Sequence, residues 1–260
     1  MFSAWKGSIV EGALGDNVFF LVVEYIAVGC CGMVGGMWAI RKNYDIFAII
    51  TTSWLTALGG GIVRDVLLGA LPPVGIADRG FVFTGLASGV IVAFAHLEID
   101  EWKWFMLTLD ALALGLFAVN GTAKGLDFHM SGMASVFLGM ATALGGGLIR
   151  DMVLNQVPVI VRDKHWYALP AAVGCVLTVF VVKAQRAGCF DVITEMILDT
   201  LIVVLVVAMR LMSVKFDLTL FGAMNRKSPI KINKYRRHNA YSRKISDKSI
   251  KNTEKNNQNK

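Results

Sequence analysis

Charge is what this chain lacks most. Asp, Glu, Lys and Arg make up 17% of its 260 residues, against 55% hydrophobic ones. A soluble domain carries about a quarter charged residues, so the deficit argues for a protein whose solvent is lipid. Cysteine is rare and badly spaced. Cys30 and Cys31 are adjacent and Cys175 and Cys189 lie far away. No pair has metal-ligand spacing, and all but Cys189 sit in apolar runs, which suits small buried hydrophobes rather than a disulfide or metal site. His96, His129, His165 and His238 are scattered and suit interfacial or solvent-exposed positions. No soluble-enzyme constellation is present, so neither an enzyme nor a cofactor is expected. The glycine run at 59–61 is no phosphate loop, because it lacks the strand–loop–helix setting and the following Lys-Ser/Thr. Residues 1–17 hold Lys6, Glu11 and Asp16 and are too polar for a signal peptide; no cleavable apolar region precedes the first span.

What is abundant is long apolar sequence. A bilayer-spanning helix needs roughly 17–25 largely apolar residues. Seven segments qualify: 18–40, 46–68, 81–97, 104–123, 133–154, 166–182 and 193–212. The breaks between them, such as "RKNYD", "GALPPVGIADRG" and "NQVPVIVRDKH", carry loop chemistry. Trp5, Trp102, Trp104 and Trp166 fall near span ends, where aromatic rings favour the lipid–water interface. The expected fold is an all-α membrane protein with seven transmembrane helices, its two termini on opposite sides.

The net charge of +7 is uneven. From position 213 onward there are 13 Lys or Arg against Asp217, Asp247 and Glu254, a local excess of ten, which leaves the first 212 residues near −3. Residues 213–260 therefore form a basic tail, too polar to bury a core and expected to be disordered. Its positive charge next to the last span, Lys215, Arg226 and Lys227, predicts a cytoplasmic C-terminus and an external N-terminus, since the short loops nearly tie in charge. The tail is a topology determinant and solubilising end, or a contact for anionic lipid or nucleic acid; Tyr235 and Tyr241 could stack on bases.

The chain also repeats itself. "TALGGGIVRD" at 56–65 returns as "TALGGGLIRD" at 142–151, an offset of 86. The same offset relates Leu68 to Leu154, Pro72 to Pro158, Gly29 to Gly115, Gly35 to Gly121 and Glu24 to Asp110. The units are then 1–17 outside the membrane, a three-span repeat at 18–97, a second at 104–186, a lone span at 190–212 and the tail at 213–260. Three spans per copy make the second copy enter from the other side of the bilayer, which gives a 3+3 inverted repeat plus one helix. Glycine-interrupted apolar segments at matching positions of two halves point to a transport path.

Each interior Gly costs roughly 1 kcal/mol of helix propensity against Ala. Gly59, Gly60 and Gly61, and Gly145, Gly146 and Gly147, should make two helices easy to bend and let another backbone approach closely. Arg64, Asp65, Arg150 and Asp151 are costly in lipid and should face the protein interior, pair up or line an ion path. With Glu24 and Asp110, each copy holds two acids to one base, and the last span adds Glu195 and Asp199; a net acidic lining would favour cations. Adjacent side chains diverge by roughly 100° on a helix. Partners for each Arg-Asp pair are therefore expected on other helices: Glu24, Asp110 or the pair of the other repeat. The bland alternative is glycine for close packing and a structural buried ion pair. Repetition in an inverted frame favours the pathway.

At "GGGIVRD" and "GGGLIRD" the sequence resembles the TRIC family, the trimeric intracellular cation channels and their prokaryotic relatives, whose bacterial members are also grouped under a glycine-transporter domain name. The resemblance covers about residues 16–212. It implies a homotrimer with a pore in each subunit, lined by glycine-bent second and fifth helices and conducting monovalent cations, chiefly potassium and sodium. It makes the six glycines hinge positions and the Arg-Asp pairs the polar residues beside them. Animal members carry a Lys-Glu-Val motif tied to phosphoinositide; here Lys124-Gly125-Leu126 keeps only the lysine, which implies a prokaryotic type in a bacterial inner membrane. Two alternatives stand: a secondary carrier of a small solute such as glycine, and a membrane anchor presenting the basic tail.

Overall fold

The first two apolar runs become α1, Val18–Ile40, and α2, Ile46–Leu68, with the bounds the sequence predicts. The structure, a computed structural model, describes residues 18–95 and 102–218. The Asp45 carboxylate accepts a 2.8 Å hydrogen bond from the Ala48 amide and starts α2, while Gly69, at φ 71°, ends it in the left-handed conformation that glycine adopts freely. The loop that follows holds a one-turn helix, α3 (Val74–Ala77), and leads into α4 (Arg79–Phe94). The second copy repeats the plan with α5 (Lys103–Asp127), α6 (Gly132–Val153), one-turn α7 (Val159–Arg162) and α8 (Ala168–Arg186). Ser131 caps α6 by accepting from the Ala134 amide at 3.3 Å; it stands 86 residues after Asp45. Helix α9, Val192–Lys215, closes the order.

Six of these helices are long and apolar enough to cross a membrane. The third expected span is shorter than predicted. Helix α4 has 16 residues and stops at Phe94, about 24 Å at 1.5 Å per residue. Two segments read as plain loops also contain the one-turn helices α3 and α7. The N-terminal segment 1–17 with Trp5, positions 96 and 97 of the third span, and the tail from 219 onward lie outside the described residues.

Helix α5 is the centre of the bundle. Its membrane window is 72% buried, against 22% for α9. It packs on α1, α6, α8 and α9, while α2 packs on α1, α4 and α6. Lipid offers apolar side chains no less than a protein core does, so close packing of small residues, rather than apolar burial, must hold such helices together. Gly35 on α1 meets the Thr56 hydroxyl of α2, and Gly121 on α5 meets the Thr142 hydroxyl of α6: a Cβ on either glycine would stand 2.5 or 2.7 Å from that oxygen. Both hydroxyls turn back into their own helices, Thr56 to the Thr52 carbonyl at 2.5 Å and Thr142 to the Leu138 carbonyl at 2.7 Å, so neither is left unpaired in an apolar setting. Phe83, Phe137 and Phe180 point outward, each 68–69% exposed.

Candidate functional site

Helices α2 and α6 cross at their glycines. A Cβ on Gly60 would strike the Thr142 carbonyl oxygen, and one on Gly146 would come within 2.5 Å of the Thr56 carbonyl oxygen. A Cβ on Gly145 would lie 3.2 Å from the Gly60 Cα, and one on Gly59 would lie 2.5 Å from the Ile149 Cδ1. Neither helix breaks: both run through their triplets without interruption. The third glycine of each triplet behaves differently. Gly61 has only the Arg64 Nη2 atom within 4 Å of its Cβ direction, at 3.9 Å, and Gly147 looks toward the Tyr167 hydroxyl and Arg150 Nη2. One face of each triplet thus seals the crossing, and the next residue opens toward an arginine.

The first polar cluster is built around Arg64, which is fully buried. Its Nε donates to Asp65 at 2.8 Å and its Nη1 lies 2.8 Å from Glu24 on α1. Nη2 has no partner among the described residues. Asp65 also receives Lys124 of α5 at 2.9 Å, and its second oxygen accepts from the Val74 amide at 2.9 Å. The second cluster copies the first. Arg150 Nε donates to Asp151 at 2.9 Å, and Nη1 reaches Asp110 on α5 at 3.4 Å. Asp151 accepts from the Val159 amide at 2.7 Å and from Gln156 at 3.4 Å. Each aspartate therefore ties a long helix to the one-turn helix after it. In both clusters the arginine and aspartate are sealed, whereas Glu24 and Asp110 keep 18% and 19% of their side-chain surface open.

Two expectations need correction. Arg64 and Asp65, and likewise Arg150 and Asp151, bond to each other despite diverging on the helix, because the arginine side chain is long enough to fold back. Their outside partners stand on other helices, as expected: Glu24 and Lys124 for the first pair and Asp110 for the second, with no bond between the two pairs among the described residues. The acid excess also vanishes at the first cluster, where two acids meet two bases, and persists at the second, where Asp163 accompanies the added base. Lys124 adds a second base to the first cluster, and Arg210 of α9, 2% exposed, adds one near the second. Arg210 donates to Asp163 at 3.0 Å and to the Trp166 carbonyl at 3.0 Å. Sequence reasoning missed both bases as site residues. The offset of 86 that relates the clusters also relates Lys124 to Arg210, but it does so between the fourth and seventh spans, which share little else.

Asp163 lies in the loop after α7. Burial raises its pKa, but hydrogen bonds from Arg210 and His165 outweigh that and hold the carboxyl below its ordinary value of 3.8. It borders a cavity of about 370 Å³ whose wall includes Asp110, Arg150 and Arg210. Asp199 is buried at 2% with neither oxygen partnered among the described residues. Glu195 lies one turn before it on α9, at that helix's N-terminal end.

The twofold arrangement reappears in comparison with known proteins. A family model described as "Glycine transporter" matches the chain twice, at residues 21–97 and 107–183. The chain belongs to the glycine transporter family. It is 34% identical over 154 residues to a UPF0126 membrane protein of Deinococcus radiodurans, spanning 58% of this chain and 71% of that one. It is 26% identical over 153 residues to the UPF0126 inner membrane protein YadS of Escherichia coli, spanning 58% and 73%. Among solved structures it superposes on the TRIC trimeric intracellular cation channel orthologue from Rhodobacter sphaeroides with a TM-score of 0.69, at 26% identity, over 78% of this chain and 100% of that one. The TRIC resemblance and the all-helical fold hold, and this member of the glycine transporter family is a multi-pass membrane protein.

Proposed function

We propose that the chain is a monovalent-cation channel, conducting potassium and sodium, that assembles as a homotrimer with a pore in each subunit between α2 and α6. The observation that carries this reading is the pair of equivalent polar clusters flanking a glycine crossing, each with its arginine sealed and one carboxylate, Glu24 or Asp110, left partly open. Carboxylates at a water-accessible position attract cations. The likeness to the R. sphaeroides channel supports the same reading. In this account Gly60 and Gly146 are the pivot on which α2 and α6 move, and Gly59, Gly61, Gly145 and Gly147 give that pivot room. Arg64, Asp65, Arg150 and Asp151 latch the helix ends. The C-terminus is cytoplasmic and the N-terminus external, set by the basic tail, in a bacterial inner membrane. Purified protein in planar bilayers under potassium and sodium gradients tests it. A second reading, a carrier of a small solute such as glycine, is favoured by the family's description; it predicts saturable glycine counterflow without unitary current steps.

A further inference from the structure

The C-terminal end of α9 is tied to the loop between α7 and α8 by bonds of two kinds. Most need no titratable proton near neutral pH. The Trp166 amide donates to the Ser213 hydroxyl at 2.8 Å, and that hydroxyl donates to the Leu218 carbonyl at 3.1 Å. Arg210 donates to the Trp166 carbonyl and to Asp163, both at 3.0 Å. The remaining tie depends on a proton. The His165 imidazole lies between two carboxylates, its Nδ1 2.6 Å from Asp163 and its Nε2 2.9 Å from Asp217. A neutral imidazole has one N–H and a lone pair on the other nitrogen; only the imidazolium donates from both. The bridge is therefore complete in the charged form. In the neutral form it is one bond short, and a lone pair faces a carboxylate.

The two carboxylates are not equally held. Asp163 also accepts from Arg210 and from the His165 amide at 3.2 Å. Asp217 is 86% exposed, with His165 as its side-chain partner, so loss of the proton frees Asp217 first. That residue stands at φ 51°, a left-handed conformation uncommon outside glycine. The turn it makes returns the Leu218 amide to the Ser213 carbonyl at 2.8 Å, closing α9. We propose that His165 is a proton-operated clasp. Charged, it fastens the residue at which the chain leaves α9 to the loop after α7; neutral, it lets Asp217 go and loosens the root of the basic tail. Histidine is the side chain that changes charge between about pH 5 and 8. Lys164 and Lys215 flank the bridge in sequence. Across the cavity that His165 helps to line stand Arg41 of α1, Lys103 and Asp110 of α5, Arg150 of α6 and Arg162 of α7. Bases oppose a charged imidazole and carboxylates favour it. Their balance sets the midpoint, while the direction, closed at low pH and open at high pH, follows from the bond count. This inference stands apart from the channel reading, because its readout is hydrogen exchange rather than current.

The test is hydrogen exchange, read by mass spectrometry, of the full chain in phosphatidylcholine nanodiscs at about pH 5 and about pH 8, with times corrected for the intrinsic pH dependence of exchange. The expected result is a Leu218 amide that exchanges about tenfold faster, after correction, at the higher pH, the effect of losing one charge-assisted hydrogen bond. His165→Gln removes the titrating group. Asp217→Asn puts an amide where the carboxylate was, which accepts from the charged ring and donates to the neutral one. Each should abolish the difference. A thermal melt checks that the variants are folded; if His165→Gln is not, Asp217→Asn, at an exposed position, carries the comparison. Equal corrected rates at both pH values in the parent, or a difference that a folded variant retains, overturns the proposal.

Discussion

Gly60 and Gly146, 86 residues apart in sequence, meet in space. A Cβ on Gly60 would lie 3.4 Å from the Gly146 nitrogen and against the Thr142 carbonyl, and a Cβ on Gly146 would press on the Thr56 carbonyl. Each glycine thus gives the other's helix its place, which is what a twofold relation between the copies requires. Gly146→Ala must push a backbone, not a flexible side chain, so α2 and α6 have to separate. We expect a lower melting temperature and reduced current. Gly61→Ala meets only the far end of Arg64 at 3.9 Å and should melt at or above the parent, because alanine favours the helix by about 1 kcal/mol. Thermal melts of the two variants side by side check this.

Arg150→Gln strips Asp110 of its arginine and leaves Asp151 with the Val159 amide and Gln156. Breaking one member of a buried pair costs about 3–5 kcal/mol, so assembled protein should fall. If the cluster latches α6, the assembled protein that remains should also show altered open probability. Reduced yield with unchanged single-channel behaviour would make the pair purely structural. Lys124→Met should be milder, since Asp65 keeps Arg64 and the Val74 amide.

The repeat was legible because its signature is local: ten residues, twice, at one offset. Helix bounds for α1 and α2 were legible because Asp45 and the Arg41-Lys42-Asn43 break punctuate an otherwise apolar stretch. Length misled at α4, where the apolar run outlasts the 16-residue helix. The polar clusters were half legible. Glu24 and Asp110 follow from the offset, but Lys124 reaches Asp65 across 59 positions, and nothing local marks a lysine near a helix end as a partner for an aspartate two spans earlier. Arg210 was hidden in the same way, at the end of an apolar span where a basic residue reads as an interface anchor.

Asp163 gives the fold a pH dependence of known sign. A carboxyl held below its ordinary value stabilises the folded state above that value, and the contribution is lost as pH falls through the folded pKa. Its grip on Arg210 should therefore persist at neutral pH and fail below about pH 4. Asp163→Asn should lower the melting temperature at pH 7 and flatten its fall on acidification. Melts between about pH 3 and 7 read both effects.

Asp199 carries the opposite expectation. A buried carboxylate without a partner is costly in any apolar setting, and an amide of the same shape has no charge to desolvate. Asp199→Asn should raise the melting temperature. A fall would show that the carboxylate is bonded in the assembled protein.

The cation pore proposed for each subunit at the α2–α6 crossing has a direct electrical signature. The measurement that tests it most directly is the reversal potential of single-channel currents in planar bilayers under a potassium chloride gradient, for the parent and for Gly146→Ala. A cation pore gives unitary steps that reverse near the potassium equilibrium potential in the parent, with smaller or rarer steps in the variant. Reversal near the chloride potential, or the absence of unitary steps in protein that instead exchanges glycine by counterflow, would contradict it.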